Sequence, residues 1–135
     1  MAERVLIVED EAAIREILLE LLRDAGYEVD EAADGLEGVE KFRTGDYSLV
    51  LLDLMLPGLD GYGVCEIIRR ESSVPVIILT ALDDERSQVK AFELKADDYI
   101  TEPFSLKLVL MRVEAVLRRS RETRSAPGAE VFRRG

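Results

Sequence analysis

Four short hydrophobic runs in this chain each lead into a polar residue that can do chemistry. Val5-Leu6-Ile7-Val8 runs into Glu9-Asp10, Leu49-Val50-Leu51-Leu52 into Asp53, and Val76-Ile77-Ile78-Leu79 into Thr80. Tyr99-Ile100-Thr101 runs into Glu102-Pro103. Acids gathered at one edge of a sheet repel one another, and a hard divalent cation is the usual remedy. Mg²⁺ takes oxygen ligands, typically one or two carboxylates with waters and phosphate oxygens. An accessible aspartate can also act as a nucleophile and carry an aspartyl phosphate. The metal and nearby donors then offset charge on the transferring phosphoryl group. Thr80 would supply a hydroxyl to a phosphate oxygen. One loop acid alone would signify only solvation, but acids at two adjacent strand ends, with a hydroxyl at a third, indicate a site.

The elements that must position these residues follow from periodicity. Continuous apolar runs of four residues fit strands buried on both faces. Between them, Ile14, Ile17, Leu18, Leu21, Leu22 and Ala25 recur at helical spacing, and Gly26 stops that helix. Glu28–Ala32 reads as a more polar strand nearer an edge, and Asp34 can cap a helix carrying Leu36, Val39 and Phe42. A turn at Pro57–Gly61 precedes a helix around Val64–Arg70. Asp83 or Asp84 can open a helix to about Leu94, and Ser105 can cap a last one with Leu108, Val109, Met111, Val113, Val116 and Leu117. Five strands alternating with five helices predict an α/β fold, a doubly wound parallel sheet of order 2-1-3-4-5. In that order strands one, three, four and five lie side by side. Their polar ends then converge on one cleft, where such sheets bind ligands.

Composition narrows the function classes. The chain has 135 residues, no histidine and one cysteine, Cys65. That disfavours zinc sites and Ser/His or Cys/His catalysis, and Cys65 on an apolar helix face reads as packing. No apolar run approaches the ~20 residues of a membrane span, so a cytoplasmic location is expected. The net charge of −10 disfavours nucleic-acid binding by the chain as a whole. Residues 118–135 nevertheless carry six arginines against two glutamates. With the polar, Pro-Gly-containing stretch from residue 120, this predicts a domain over 1–119 and a linker over 120–135, within which Val131–Gly135 could begin another strand.

Several motifs together carry a resemblance over residues 3 to about 119. Val5-Leu6-Ile7-Val8-Glu9-Asp10-Glu11, Leu51-Leu52-Asp53-Leu54-Met55-Leu56-Pro57-Gly58-Leu59-Asp60-Gly61, Leu79-Thr80-Ala81 and Ala96-Asp97-Asp98-Tyr99-Ile100-Thr101 closely resemble response regulator receiver domains of two-component systems, in wording like the OmpR/PhoB subfamily. The resemblance implies the flavodoxin-like (CheY-like) fold and phosphorylation of Asp53 by a sensor histidine kinase. It implies Mg²⁺ held by Glu9, Asp10, Asp53 and the Met55 carbonyl. It also implies a switch pair, Thr80 and Tyr99, although Tyr99 taken alone is as readily a strand aromatic. Switching would remodel the face formed by the fourth helix, fifth strand and fifth helix. Homodimers would form through that face, and DNA would be bound by a C-terminal winged-helix domain lying beyond this sequence.

Three departures from the family pattern stand out. Glu102 occupies the position of the usual lysine, placing a fourth acid near Glu9, Asp10 and Asp53. A like-charge contact at ~4 Å and an effective dielectric of ~20 costs on the order of 4 kcal/mol, less if Glu102 turns out to water. Lys95 stands where the family has glycine, and a left-handed backbone there costs about 1 kcal/mol. It cannot offset Glu102, because strand five separates the two by roughly 13–20 Å. On the expected dimer face one ionic pair is lost, its positions being Gln88 and Leu108, while Asp98 with Arg112 and Asp97 with Arg119 keep their types. The dimer mode is therefore expected to survive in a weaker or partly apolar form.

Two other function classes compete with the phosphorylatable switch. Glu102 would suit a degenerate receiver that binds partners without phosphorylation. An enzyme fits less well. A flavin site would want a hydroxyl- and glycine-rich loop where Glu9-Asp10-Glu11 stands, and an aspartate-based phosphatase would want an acid where Met55 stands. The chain reads as a phosphoacceptor, with at most slow autophosphorylation from small donors and slow dephosphorylation of its own.

Overall fold

A computed structural model describes residues 2–125 of the chain. Ten elements alternate along it: β1 (Arg4–Val8), α1 (Ala12–Asp24), β2 (Glu28–Ala32), α2 (Gly35–Thr44), β3 (Leu49–Leu52), α3 (Gly61–Glu71), β4 (Val76–Thr80), α4 (Glu85–Glu93), β5 (Asp98–Thr101) and α5 (Leu106–Ser125). The strands form one parallel sheet in the order β2-β1-β3-β4-β5, as expected. Side chains alternate across a strand, so the sheet feeds two cores. Leu6, Val8, Val50, Leu52, Val76 and Ile78 pack on the face with Val39 of α2 and Val64 and Ile68 of α3. Val5, Ile7, Leu49, Leu51, Ile77 and Leu79 pack on the other with Leu18 and Leu22 of α1 and Val109, Val113 and Leu117 of α5. Burying each such side chain contributes roughly 1.5–3 kcal/mol. Both cores are apolar, which leaves the strand ends as the place for polar chemistry.

Short polar side chains fix where most helices begin. Asp34 accepts from the Glu37 amide at 2.8 Å, Asp60 from Gly63 at 3.0 Å, Asp84 from Ser87 at 2.9 Å, and Ser105 Oγ from Leu108 at 3.2 Å. Each satisfies an amide that the first helical turn leaves without a partner. Gly26, at φ 100°, ends the chain's run out of α1 in a conformation glycine adopts freely. Lys95 takes the left-handed conformation at φ 68°, and the Glu102–Pro103 peptide is cis. Arg69 braces the Lys95 turn from α3, donating to the Lys95 carbonyl at 3.1 Å, the Val74 carbonyl at 2.6 Å and the Asp97 carboxylate at 2.9 Å.

Three details differ from the sequence reading. Ile17 and Leu36, counted on buried helix faces, are exposed, and Leu19 turns inward on α1 instead. On α5 the buried face is Val109, Val113, Val116 and Leu117, while Leu108 and Met111 face out. Finally, α5 continues to Ser125, six residues beyond the end expected from the apolar rhythm at Arg119. Arginine and glutamate propagate a helix well without burying anything, and Arg121 pairs with Glu3 at the start of the sheet. The proposed strand at Val131–Gly135 lies outside the described residues. Among those residues, no helix is long and apolar enough to cross a membrane.

One close approach ties α3 to the end of β3. A Cβ added to Gly61 would lie 2.2 Å from the Asp53 carbonyl oxygen and 2.6 Å from the Leu54 Cα. The Gly61 amide donates to the Leu54 carbonyl at 3.0 Å. Because backbone is what a side chain would meet, Gly61→Ala is expected to destabilise the chain by about 1–3 kcal/mol, read as a lowered urea midpoint at unchanged m-value. Lys95→Gly is expected to raise the midpoint by the equivalent of about 1 kcal/mol, since it removes the left-handed penalty.

Candidate functional site: an acidic pocket at the C-terminal strand ends

The sheet moors the acids through the backbone just past each strand. The Glu9 amide donates to the Ala32 carbonyl at 3.0 Å, Asp53 to Val8 at 3.0 Å, and Glu102 to Thr80 at 2.8 Å. Each acid therefore continues a ladder rather than sitting on a free loop. Arg15 of α1 reinforces this edge, donating to the Glu9 carbonyl oxygen at 2.8 Å and to the Glu31 carboxylate at 2.7 Å. Its guanidinium holds the Glu9 backbone and leaves the Glu9 carboxylate alone.

Glu9 is 2% exposed and Asp53 7%, and Thr80 is fully buried. Glu9, Asp53 and the half-buried Glu102 each offer a carboxylate oxygen, and these oxygens lie within 4.8 Å of one another. Two backbone amides answer the negative charge: Glu11 N–H donates to Glu9 Oε2 and Met55 N–H to Asp53 Oδ1, both at 3.1 Å. Among the described residues, no lysine or arginine forms an ion pair with the three acids. Burial pushes the Glu9 carboxyl up to about 8; the Glu11 amide lowers it, and nearby Asp53 and Glu102 raise it further. Glu102 is raised too, first by burial and then by Asp53 and Glu11. Crowded carboxylates in a low-dielectric site disfavour full ionisation. An all-oxygen acidic donor set such as this suits a hard divalent cation.

Glu102 lies with Glu9 and Asp53, as its place at the end of β5 implied, its amide donating to the Thr80 carbonyl and its side chain half-buried. Asp10 is exposed and lies outside the group of three. The Met55 side chain is exposed, and its backbone adjoins Asp53 through the amide. The Glu11 amide and the Gly61 approach leave no signal in the sequence, because backbone donors and close packing do not depend on a recognisable side-chain type.

The expected switch pair lies beside this pocket. Thr80 Oγ1 accepts from the Leu82 amide at 3.4 Å, and the Tyr99 hydroxyl donates to the Leu82 carbonyl at 2.7 Å. One residue of the loop between β4 and α4 thus touches both. Burial pushes the Tyr99 hydroxyl up to about 12, so it stays a donor at neutral pH. Its ring lies 6.4 Å from that of Phe92 on α4, tilted by 42°.

Four of the six residues expected on the dimer face are engaged within the chain. Arg112 makes two contacts of 2.8 Å with Asp98. Asp97 Oδ2 accepts from Arg69 at 2.9 Å and from the Val76 amide at 2.8 Å, while Arg119 is exposed. Gln88 Nε2 donates to the Asp83 carbonyl at 3.2 Å, and Leu108 is exposed beside Met111.

Known proteins share this architecture and sequence. The family model for the response regulator receiver domain matches residues 5–114. A probable transcriptional regulator ycf27 of Porphyridium aerugineum is 51% identical over 117 residues, which is 87% of this chain and 49% of that protein. The transcriptional regulatory protein ResD of Bacillus subtilis is 46% identical over 120 residues, covering 89% of this chain and 50% of its own length. The chain spans about half the length of the curated relatives it matches. Among solved structures, a CheY-like receiver domain protein of Methanospirillum hungatei superposes with a TM-score of 0.87 at 27% identity, covering 91% of this chain and 99% of that one. The response regulator TrrA of Thermotoga maritima, solved in complex with Mg²⁺ and a beryllium fluoride, gives 0.78 at 37% identity, covering 84% and 98%. Matched over most of its length in sequence and fold, the chain belongs to the response regulator receiver domain family of two-component signalling.

Proposed function

We propose that Asp53 is the phosphoacceptor of a cation-assisted signalling switch. The observation that carries this reading is a nearly buried aspartate at the end of the central strand, packed against a second buried acid and adjoining a strand that ends in a buried threonine. One Asp53 oxygen is held by the Met55 amide, which orients the carboxylate. An Asp53 oxygen attacks the phosphorus of a phosphohistidine on a sensor histidine kinase. The new O–P bond forms as the N–P bond breaks, and the imidazole leaves with the electron pair. Glu9, Asp10, Asp53 and the Met55 carbonyl would hold Mg²⁺, which would supply charge neutralisation when bound. The Thr80 hydroxyl donates to a phosphoryl oxygen, and slow hydrolysis resets the switch.

The output runs through the Leu82 junction. When the Thr80 hydroxyl turns to the phosphoryl group, its contact with the Leu82 amide is given up, and the loop that anchors Tyr99 shifts with it. Val89 and Phe92 on α4 and Leu106, Leu108 and Met111 on α5 are exposed large apolar side chains. They form the apolar part of an α4-β5-α5 homodimer face, with the Asp98–Arg112 ion pair and Asp97, Arg119 and Gln88 at its polar positions. The relatives are named as transcriptional regulators, which supports control of a DNA-binding domain joined after α5, in the cytoplasm.

Incubation with Mg²⁺ and acetyl phosphate tests the chemistry by intact mass. One added phosphoryl group is expected, absent in Asp53→Asn and retained in Thr80→Ala. An adduct that survives in Asp53→Asn, or none on the parent chain, overturns the assignment. For the output, Leu108→Glu is expected to weaken association of the beryllofluoride-treated chain by about tenfold, equivalent to ~1.4 kcal/mol. Sedimentation velocity reads this, and an unchanged dimer fraction removes Leu108 from the interface.

A further inference from the structure

Helix α4 has little of its own to hold it in place. It buries one residue, Ala91, where α1 and α2 bury three each and α3 buries four. Elements that bury little apolar surface shift at low cost, so the position of α4 depends on contacts at its margin. Tyr62 of α3 supplies two of them. Its hydroxyl donates to the Ser87 carbonyl at 3.4 Å, and its ring lies 4.2 Å from the Lys90 ammonium, within cation–π range. Ser87 and Lys90 are about one helical turn apart, so both contacts fall on the side of α4 that faces α3. Tyr62 is itself half-buried against the core beneath α3, which makes it a fixed post. It also lies near Tyr99, whose hydroxyl is pushed up first by burial and then by Tyr62. Tyr99 holds the Leu82 carbonyl and Tyr62 that of Ser87. Two tyrosines, one from β5 and one from α3, thus grip the stretch from Leu82 to Ser87 at its two ends.

We infer that Tyr62 is a latch that holds α4 against α3, and that its grip on Ser87 and Lys90 sets how readily α4 shifts when the switch is thrown. The inference rests on the Asp53–Thr80 switch proposed above. Contacts made in one of two conformations lower the population of the other by their own free energy. Tyr62 stands on α3, outside the α4-β5-α5 face, so it acts on dimerisation through the position of α4 and not by touching the partner. With the latch removed, α4 shifts more readily, and by linkage the chain also takes up a phosphoryl group or its mimic more readily. Tyr62 is in this sense a positioning residue, since it touches neither the acidic pocket nor the dimer face.

Sedimentation velocity of the chain with and without Mg²⁺ and beryllofluoride tests this, on the parent, Tyr62→Phe and Tyr62→Leu. Circular dichroism melts check that each variant is folded. Tyr62→Leu loses both contacts and is expected to raise the association constant without beryllofluoride by about three- to tenfold. Tyr62→Phe keeps the ring beside Lys90 and should raise it less. In saturating beryllofluoride the three chains should converge, because the contacts are then already given up. The rate of modification by acetyl phosphate should rise in the same order, parent, Tyr62→Phe, Tyr62→Leu. A purely structural role would lower the melting temperature of Tyr62→Leu while leaving its beryllofluoride-free association within about twofold of the parent. If that is seen while the parent dimerises in beryllofluoride, the latch falls and the switch stands. If beryllofluoride leaves the association of the parent unchanged, the output reading fails and the inference falls with it.

Discussion

Mutual repulsion among carboxylates at one end of an otherwise apolar sheet is the constraint on which the rest of this molecule turns. Glu9 and Asp53 are buried because β1 and β3 are covered on both faces, and the first polar residue after each is drawn into the same cover. Their charge cannot be relieved by moving apart, since Asp53 is hydrogen-bonded to Val8, the residue before Glu9. A carboxylate held against another in low dielectric is driven either to take up a proton or to gather a cation. On the proposed reading, the same crowding that costs stability prepares the pocket to bind a positive ion and, with it, a phosphoryl group.

The proposed signal path starts from the next strand over. Thr80 is the last residue of β4, and its hydroxyl meets the amide of the same Leu82 whose carbonyl receives the Tyr99 hydroxyl. A change at Thr80 therefore reaches Tyr99 through one residue of backbone, and Phe92 of α4 lies against that ring. This is a short, contiguous connection from chemistry at the strand ends to the apolar side chains of α4 and α5. The Asp98–Arg112 and Asp97–Arg69 pairs brace the far side of that face, which in the proposed switch leaves the loop as the part that moves.

Much of this was legible in the sequence because it depends on residue type at a fixed period. Four-residue apolar runs marked the buried strands, Asp34, Asp84 and Ser105 marked helix starts, and the acids at run ends converge once the order 2-1-3-4-5 is set. Lys95 in a left-handed turn was foreseeable from a glycine position filled by lysine. What the sequence concealed depends on side-chain direction and close packing. Whether Glu102 faces in or out depends on the local cover of its side chain, and Asp10, adjacent to the buried Glu9, is exposed where the chain bends after β1. Ile17 and Leu36 show the same limit on helices, where an apolar residue at the margin of a face is as easily left exposed. The polar extension of α5 had no apolar rhythm to reveal it and depends on helix propensity and the Arg121–Glu3 contact.

The most direct measurement is a crystal structure of the chain grown with Mn²⁺ and beryllofluoride, using the anomalous signal of manganese to locate the ion independently of the refined coordinates. The account predicts an anomalous peak at coordination distance from both Glu9 and Asp53, with the beryllofluoride bonded to an Asp53 oxygen and facing Thr80. A beryllofluoride on another carboxylate, or an ion bound away from Glu9 and Asp53, would contradict it.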